Sequence, residues 1–220
     1  MKTVKVGILF GGISVEREIS KRSCKNLVNV LDGEKYDIVM YHLPGDGDKG
    51  WIKEFMNNPP DVVLSALHGG RGENGTIQGF LHTLGIPYIG SKVLSSALCM
   101  DKHLAKTVMK AEKIQVPDGF LLRRGESLSS YEAEIRAMDF PVIAKPNRGG
   151  SSIGISVCEN MESVENAIHS IISVYDDDVL IEKFIDGREV SCCVVQTKEE
   201  TKGDLAFLKT PRFILLTLII

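Results

Sequence analysis

From His68 to Gly79 the chain reads HGGRGENGTIQG, a histidine, a carboxylate and closely spaced glycines in one loop. Gly69, Gly70, Gly72 and Gly75 let a backbone approach a small ligand and turn its amides inward, and a helix starting near Thr76 offers an anion its positive end. Loop glycines alone are more often turns and a lone histidine is more often structural, but a turn does not require this ordered set. Lys145 sits between Ala144 and Pro146 in an apolar stretch, just ahead of RGGSSIG (Arg148 to Gly154). A point charge there reaches phosphates, and the small residues allow close N–H contact. The loop lacks the Gly-Lys-Ser/Thr ending of a phosphate-binding P-loop, and a lysine taken alone, Lys145 or Lys102, is ordinarily a solvated surface residue. Glu16 follows Gly11-Gly12, where its carboxylate either holds an ammonium group or, with Glu18, complements the dipole of the next helix. Glu182-Lys183 followed by Phe184 and Ile185 suits either the backbone edge and apolar cover of a flat heterocycle or an edge strand of alternating charge.

The elements that position these residues follow from periodicity. Between Lys2 and about Gly90, the runs VKVGILF, DIVMYHL, DVVLSAL and IPYIG alternate with helical patterns, which predicts parallel strands with crossover helices. Ile19, Ser23, Leu27, Val30 and Leu31 form one helical face stopped by Asp32-Gly33, and further helices are expected over Trp51 to Asn57 and from Gly75 or Thr76 to Gly85. The HGGRGENG loop then lies at the carboxyl end of a parallel strand, where doubly wound sheets bind ligands. A helical stretch with Leu104, Ala105, Val108 and Met109 precedes a second unit that begins at Val116-Pro117. In it, Ser129 and Glu132 have capping-box spacing ahead of a helix ending near Asp139, and PVIAKP and GISVC form a hairpin across RGGSSIG. Val164, Ala167, Ile168, Ile171 and Ile172 form a helical stripe, and VLIEKF and EVSCCVVQ supply two more strands.

Composition narrows the function classes. Of 220 residues, 43% are hydrophobic and 25% charged, which points to packed globular structure. A net charge of -3, from 26 basic and 29 acidic residues, gives no cationic surplus for a nucleic acid. Cys24, Cys99, Cys158, Cys192 and Cys193 show no CxxC spacing and read as buried thiols in a reducing compartment. Glu16, Arg17 and Glu18 cut off the first apolar run too early for a signal peptide, and the apolar ending Phe213 to Ile220 falls far short of the roughly 20 residues that cross a bilayer. A cytoplasmic protein without a membrane partner is expected. The absence of GxGxxG around Gly7, Gly11 and Gly12 argues against a dinucleotide site.

The ordered set from His68 to Gly79 resembles the first signature of the D-alanine-D-alanine ligases, members of the ATP-grasp superfamily. The resemblance continues through LFGGISVEREIS (Leu9 to Ser20), GIPYIGSKVLSSALCMDKHLAK (Gly85 to Lys106), FPVIAKPNRGGSSIGIS (Phe140 to Ser156) and VLIEKFIDGREV (Val179 to Val190). It implies an α/β protein: a doubly wound parallel-sheet N-terminal domain over 1–97, a small ATP-grasp α+β subdomain over 98–186 with the Gly-Ser loop, and the truncated start of the large ATP-grasp subdomain over 187–220. It further implies that Glu16 binds the amino group of the first D-alanine, with His68 helping to orient it and Ser151 in the hydrogen-bond network around the substrate; Glu16 and Ser151 are the catalytic candidates. The loop bearing Gly150, Ser151 and Ser152 would close over ATP, Lys102 and Lys145 would bind its phosphates, Glu182, Lys183 and Ile185 would line the adenine pocket, and Glu189 would meet the ribose hydroxyls. The implied reaction phosphorylates one D-alanine carboxylate from ATP and lets a second D-alanine attack the acyl phosphate, with Mg2+ bridging the phosphates, for peptidoglycan precursor synthesis. Relatives of this kind are commonly homodimers through the first domain.

The sequence departs from the family after about Lys202. GDLAFLKTPRFILLTLII resembles nothing in it, and the second signature, an Arg and Asp on one strand and Glu-x-Asn on the next, is missing, as after a frameshift or premature stop. Those residues would supply the metal-binding carboxylates and the Arg that stabilises the intermediate, so the chain as it stands is expected to turn over negligibly. Alternatives of other kinds are a non-catalytic ATP- or D-amino-acid-binding fragment and a relative that accepts D-lactate or D-serine as second substrate.

Overall fold

The computed structural model describes residues 3–196, 201–211 and 217–219; at Glu189 and from Ser191 onward the backbone alone is described. The chain divides into two compact units. One comprises Met1–Ala105 together with Arg148–Ser151, the other Lys106–Asn147 and Ser152–Ile220.

In the first unit, β1 (Val4–Gly11), β2 (Tyr36–Leu43), β3 (Val62–Ser65) and β4 (Tyr88–Ile89) form a sheet in the order β2-β1-β3-β4, with every pairing parallel. Side chains alternate across the sheet, so neighbouring β1 residues serve different cores. Leu9 packs with Tyr41, Phe55, Val63, Ile77 and Leu81 on one side, against α2 (Gly50–Asn57) and α3 (Thr76–Thr83), while Ile8 packs with Cys24 and Ala66 on the other, under α1 (Arg17–Val30). This is the doubly wound layering expected from the alternating periods. The helix α4 (Val93–Met100), which the periodicity did not resolve, follows, and then α5 (Lys102–Ala111).

The face of α1 differs from the expected stripe. Ile19 and Val30 are exposed, and Ser20 and Cys24 are buried, with Leu27, Val28 and Leu31 partly so. The reason is a hydrogen bond: the Gly11 amide donates to Ser20 Oγ at 2.8 Å, which fixes the rotation of the helix at the strand it packs on.

The second unit contains β5 (Gly119–Leu122), α6 (Glu132–Ala137), β6 (Val142–Pro146), β7 (Ser156–Cys158), α7 (Met161–Ser170) and β8 (Val179–Lys183). Its sheet has the order β5-β8-β6-β7 and is antiparallel throughout, with the expected hairpin between β6 and β7. Leu122, Ile135, Val142, Val164, Ile168 and Ile181 are among the residues of its core, so the predicted α7 stripe faces the sheet. A separate sheet in the order β10-β9-β11 is formed by β9 (Arg188–Gln196), β10 (Thr201–Pro211) and β11 (Thr217–Ile219).

Two further expectations need correction. Ser129 caps no helix; it lies in a 3-10 turn, Leu128–Ser130, with its hydroxyl 2.8 Å from that of Ser127, and α6 begins after Tyr131 without a side-chain cap. The capping box is at α7 instead, where the Ser163 amide donates to Asn160 Oδ1 at 2.9 Å and the Asn160 amide to Ser163 Oγ at 3.1 Å. Cys99 is exposed, whereas Cys24 and Cys158 are buried and burial pushes their thiols up; Cys192 and Cys193 lie outside the described side chains. Among the described residues, no helix is long and apolar enough to cross a membrane.

Asn160→Ala is expected to cost about 1 kcal/mol in urea denaturation, and Ser129→Ala to stay within about 0.5 kcal/mol. Iodoacetamide applied to the native protein and mapped by peptide mass is expected to modify Cys99 well before Cys24 or Cys158, because the attacking species is an accessible thiolate.

Candidate functional site

In the first unit, β1 delivers the chain through Gly11-Gly12 to Glu16, which occupies the N-cap position of α1 and is only 6% exposed. Its side chain does not cap the helix; the carboxylate accepts a hydrogen bond from the Ser151 hydroxyl at Oε1. Gly69 packs against the other oxygen. Its φ is +67°, a left-handed backbone that glycine adopts without steric cost, and a Cβ added there would lie 2.5 Å from Glu16 Oε2 and 2.7 Å from Ser14 Oγ. Gly150 approaches the same oxygen, at 3.6 Å from where its own Cβ would be.

His68 does not touch Glu16 in any described hydrogen bond. Its Nε2 lies 2.8 Å from Ser23 Oγ on α1, and its Nδ1 lies 3.9 Å from Glu73 Oε1. Glu73 in turn accepts the Gly69 amide at 3.0 Å, so the loop that carries His68 is tied to the carboxylate beside it. Ser23 thus holds the imidazole, and Glu73 lies beside it while anchoring its loop. Both are present in the sequence, Glu73 inside the glycine-rich loop and Ser23 on the predicted face of α1, but residue type and spacing give neither a role.

The Gly-Ser loop has further ties within this unit. Lys102 donates to the Gly149 carbonyl, and Arg148 pairs with Asp101 at 3.3 Å. Ser151 and Ser152 have φ of +50° and +58°, consecutive left-handed conformations that cost L-residues roughly 1–2 kcal/mol each. Such strain is held where surrounding contacts demand it, and here the demand is visible in the Ser151–Glu16 bond.

In the second unit, strand register brings together Lys145 and Glu182. Ile143 on β6 pairs with Glu182 on β8, and Lys145 with Leu180, which makes Lys145 and Glu182 diagonal neighbours on one face. Their charged ends are 2.5 Å apart and their side chains only 9% and 3% exposed. The expectation that a lone lysine is solvated fails here. Lys106 also donates to Glu182, and burial pulls its ammonium below the ordinary lysine range, partly countered by the Glu182 charge. Lys106 was not singled out in the sequence. The available signal was the spacing of Lys102, Lys106 and Lys110 at i, i+4 and i+8 along α5.

Lys183 is exposed and its amide donates to Asp118 O at 2.8 Å, a bond that already occupies that backbone donor. Ile185 is 42% exposed. The side chain of Glu189 lies outside the described residues. A shallow depression of about 430 Å3, lined by Leu128, Glu165, Ile168, His169, Ile172 and Ser173, contains none of the candidate residues. Among the described residues, no group of three or more His, Cys, Asp or Glu side chains is gathered to hold a metal ion.

Comparison with known proteins places this geometry in context. Two family models match, the D-ala D-ala ligase N-terminus over residues 5–58 and 48–91 and the D-ala D-ala ligase C-terminus over residues 108–208. A crystal structure of D-alanine–D-alanine ligase from Bacillus anthracis superposes with a TM-score of 0.78 at 31% identity, covering 95% of this chain and 73% of that one. The chain belongs to the D-alanine–D-alanine ligase family. A second structure of the Bacillus anthracis ligase, complexed with ATP, gives a TM-score of 0.75 at 35% identity over 86% of this chain and 62% of that one. A D-alanine–D-alanine ligase from Clostridium beijerinckii is 40% identical over 198 residues, 89% of this chain. The chain spans 62% of the length of that family member.

Gly69→Ala is expected to destabilise the first unit by more than about 1 kcal/mol, since the new methyl meets both a forbidden φ and the Glu16 carboxylate. Gly33→Ala, with open space around it and no positive φ, is expected to shift stability by no more than about 0.5 kcal/mol; thermal denaturation checks both.

Proposed function

We propose that this chain carries the amino-acid-binding and nucleotide-binding parts of an enzyme that joins two D-alanines at the expense of ATP, in the cytoplasm, for peptidoglycan precursor synthesis. The observation that carries the reading is the hydrogen bond from Ser151 of the Gly-Ser loop to the buried carboxylate of Glu16, in a chain of this family. A buried carboxylate at a strand end is a receptor for a small ammonium group, because the charge on each stabilises the other away from water. Glu16 takes that role toward the first D-alanine, Ser151 and Gly150 close over it, and His68, held by Ser23, orients it.

Lys102 and Lys145 are the phosphate ligands in this reading, with Gly150, Ser151 and Ser152 supplying close backbone contact. Glu182, Lys183 and Ile185 form the adenine side and Glu189 meets the ribose. The γ-phosphoryl group passes to the D-alanine carboxylate, giving an acyl phosphate and ADP. The neutral amine of a second D-alanine then attacks the acyl carbon, and the tetrahedral intermediate expels phosphate as the amine loses a proton. The loop excludes water that would otherwise hydrolyse the acyl phosphate. Mg2+ would neutralise the phosphates, but the described residues offer it no fitting cluster of carboxylates. The part of these residues is therefore binding, orientation and exclusion of water. A homodimer formed through the first unit belongs to the same proposal.

Calorimetric titration of the full chain with ATP and, separately, with D-alanine tests the reading. Both are expected to bind, and Glu16→Gln is expected to weaken D-alanine by about tenfold or more while leaving ATP within about twofold, as for loss of one charge-assisted contact. D-alanine binding that is indifferent to Glu16→Gln overturns the pocket assignment, and failure to bind ATP overturns the nucleotide assignment.

A further inference from the structure

Glu182 is shared by two cations. Lys145 Nζ lies 2.5 Å from Oε2, and Lys106 donates to Oε1. The carboxylate side chain is 3% exposed and that of Lys106 22%, so water screens the cluster poorly. With both amines charged, one carboxylate cannot balance them, and the three groups together carry one net positive charge. Burial disfavours the charge on Lys106, and the nearby Lys145 adds to that; Glu182 opposes both. A second cation held in such a place against repulsion is an arrangement that an incoming anion would relieve.

We propose that Lys106 is a positioning residue for the nucleotide: it holds Glu182 so that Lys145 can turn to a phosphate without stranding a buried carboxylate. The inference rests on the nucleotide reading above and deepens it. Were Lys145 the sole partner of Glu182, moving its ammonium onto a phosphate would leave the carboxylate buried and unpaired, the costly half of breaking an ion pair. With Lys106 on the other oxygen, Glu182 keeps a partner whichever way Lys145 points.

The helix supports this assignment. Lys102, Lys106 and Lys110 lie along one face of α5, and each has its own oxygen: the Gly149 carbonyl for Lys102, Glu182 for Lys106 and, at 3.2 Å, Asp118 for Lys110. Lys106 itself is mostly withdrawn from water, its side chain 22% exposed. Lys110 is half exposed in a surface pair, the weak kind, and serves as an internal comparison.

The test compares calorimetric binding of ATP, ADP and adenosine to the full chain with Lys106 intact, Lys106→Gln and Lys106→Arg. Lys106→Gln is expected to weaken ATP and ADP by about tenfold or more and adenosine by a clearly smaller factor, no more than about threefold, because the lost charge acts mainly through Lys145 on phosphate and only secondarily through Glu182 on the adenine side. Lys106→Arg, which keeps the charge and is expected to fold, should restore ATP binding to within about threefold. Unchanged ATP affinity in Lys106→Gln overturns the inference, as does an equal loss for ATP and adenosine, which marks a merely structural role. Loss of ATP binding in Lys106→Arg equal to that in Lys106→Gln also overturns it. If the unsubstituted chain binds adenosine and ATP equally well, the phosphate role of Lys145 falls and the inference with it; if it binds neither, the nucleotide reading itself has failed.

Discussion

A carboxylate taken out of water must be given hydrogen-bond donors or positive partners, and in the four-stranded sheet of the second unit Glu182 meets that demand with two lysines. Removing one partner of a buried pair costs about 3–5 kcal/mol because the other charge is left behind. The requirement reaches back into strand pairing. Lys145 and Glu182 meet because β6 and β8 are aligned with Ile143 opposite Glu182, and a slip of one residue would send Lys145 to the other face of the sheet. Val142, Ala144, Val179 and Ile181 resist the slip, since they alternate with the charged pair and bury their side chains on the opposite face. Apolar packing thus sets the register, and the register sets the electrostatics.

The first unit meets a similar demand differently. Glu16 is as withdrawn from water as Lys145, but its described partner is a hydroxyl, from Ser151, and not a cation. A neutral donor satisfies a carboxylate's hydrogen bonding without cancelling its charge. The left-handed serines and the glycine packed against Glu16 are the backbone concessions that bring donor and acceptor together.

Much of this was legible in the sequence. Strands and helices of the first unit announced themselves by period, because each strand is an apolar run bounded by turn residues and each helix has one apolar face. The rotation of α1 was not legible. Apolar residue types point to Ile19 and Val30, whereas the helix is seated by the hydroxyl of Ser20, a bond that no periodicity encodes. The cap was misplaced for a related reason: Ser129 and Glu132 have the right spacing, but a 3-10 turn absorbs Ser129 before the helix starts. Candidate residues that a motif names, Glu16, His68, Lys145 and Ser151, were visible as types. Their partners Ser23, Glu73 and Lys106 were not, because a side chain whose only task is to hold another carries no signature of its own beyond spacing.

The order of elements in the first unit also bears on how it is made. All four strands of its sheet have been synthesised by Ile89, whereas Arg148–Ser151 are joined to the chain only after α5, β5, α6 and β6. On the ribosome, where amino-terminal parts fold first, the parallel layer has its full complement of strands while the Gly-Ser segment is still untranslated. Glu16 therefore exists before the serine that hydrogen-bonds it, and a layer that folds early must tolerate that carboxylate without its partner until the serine is delivered.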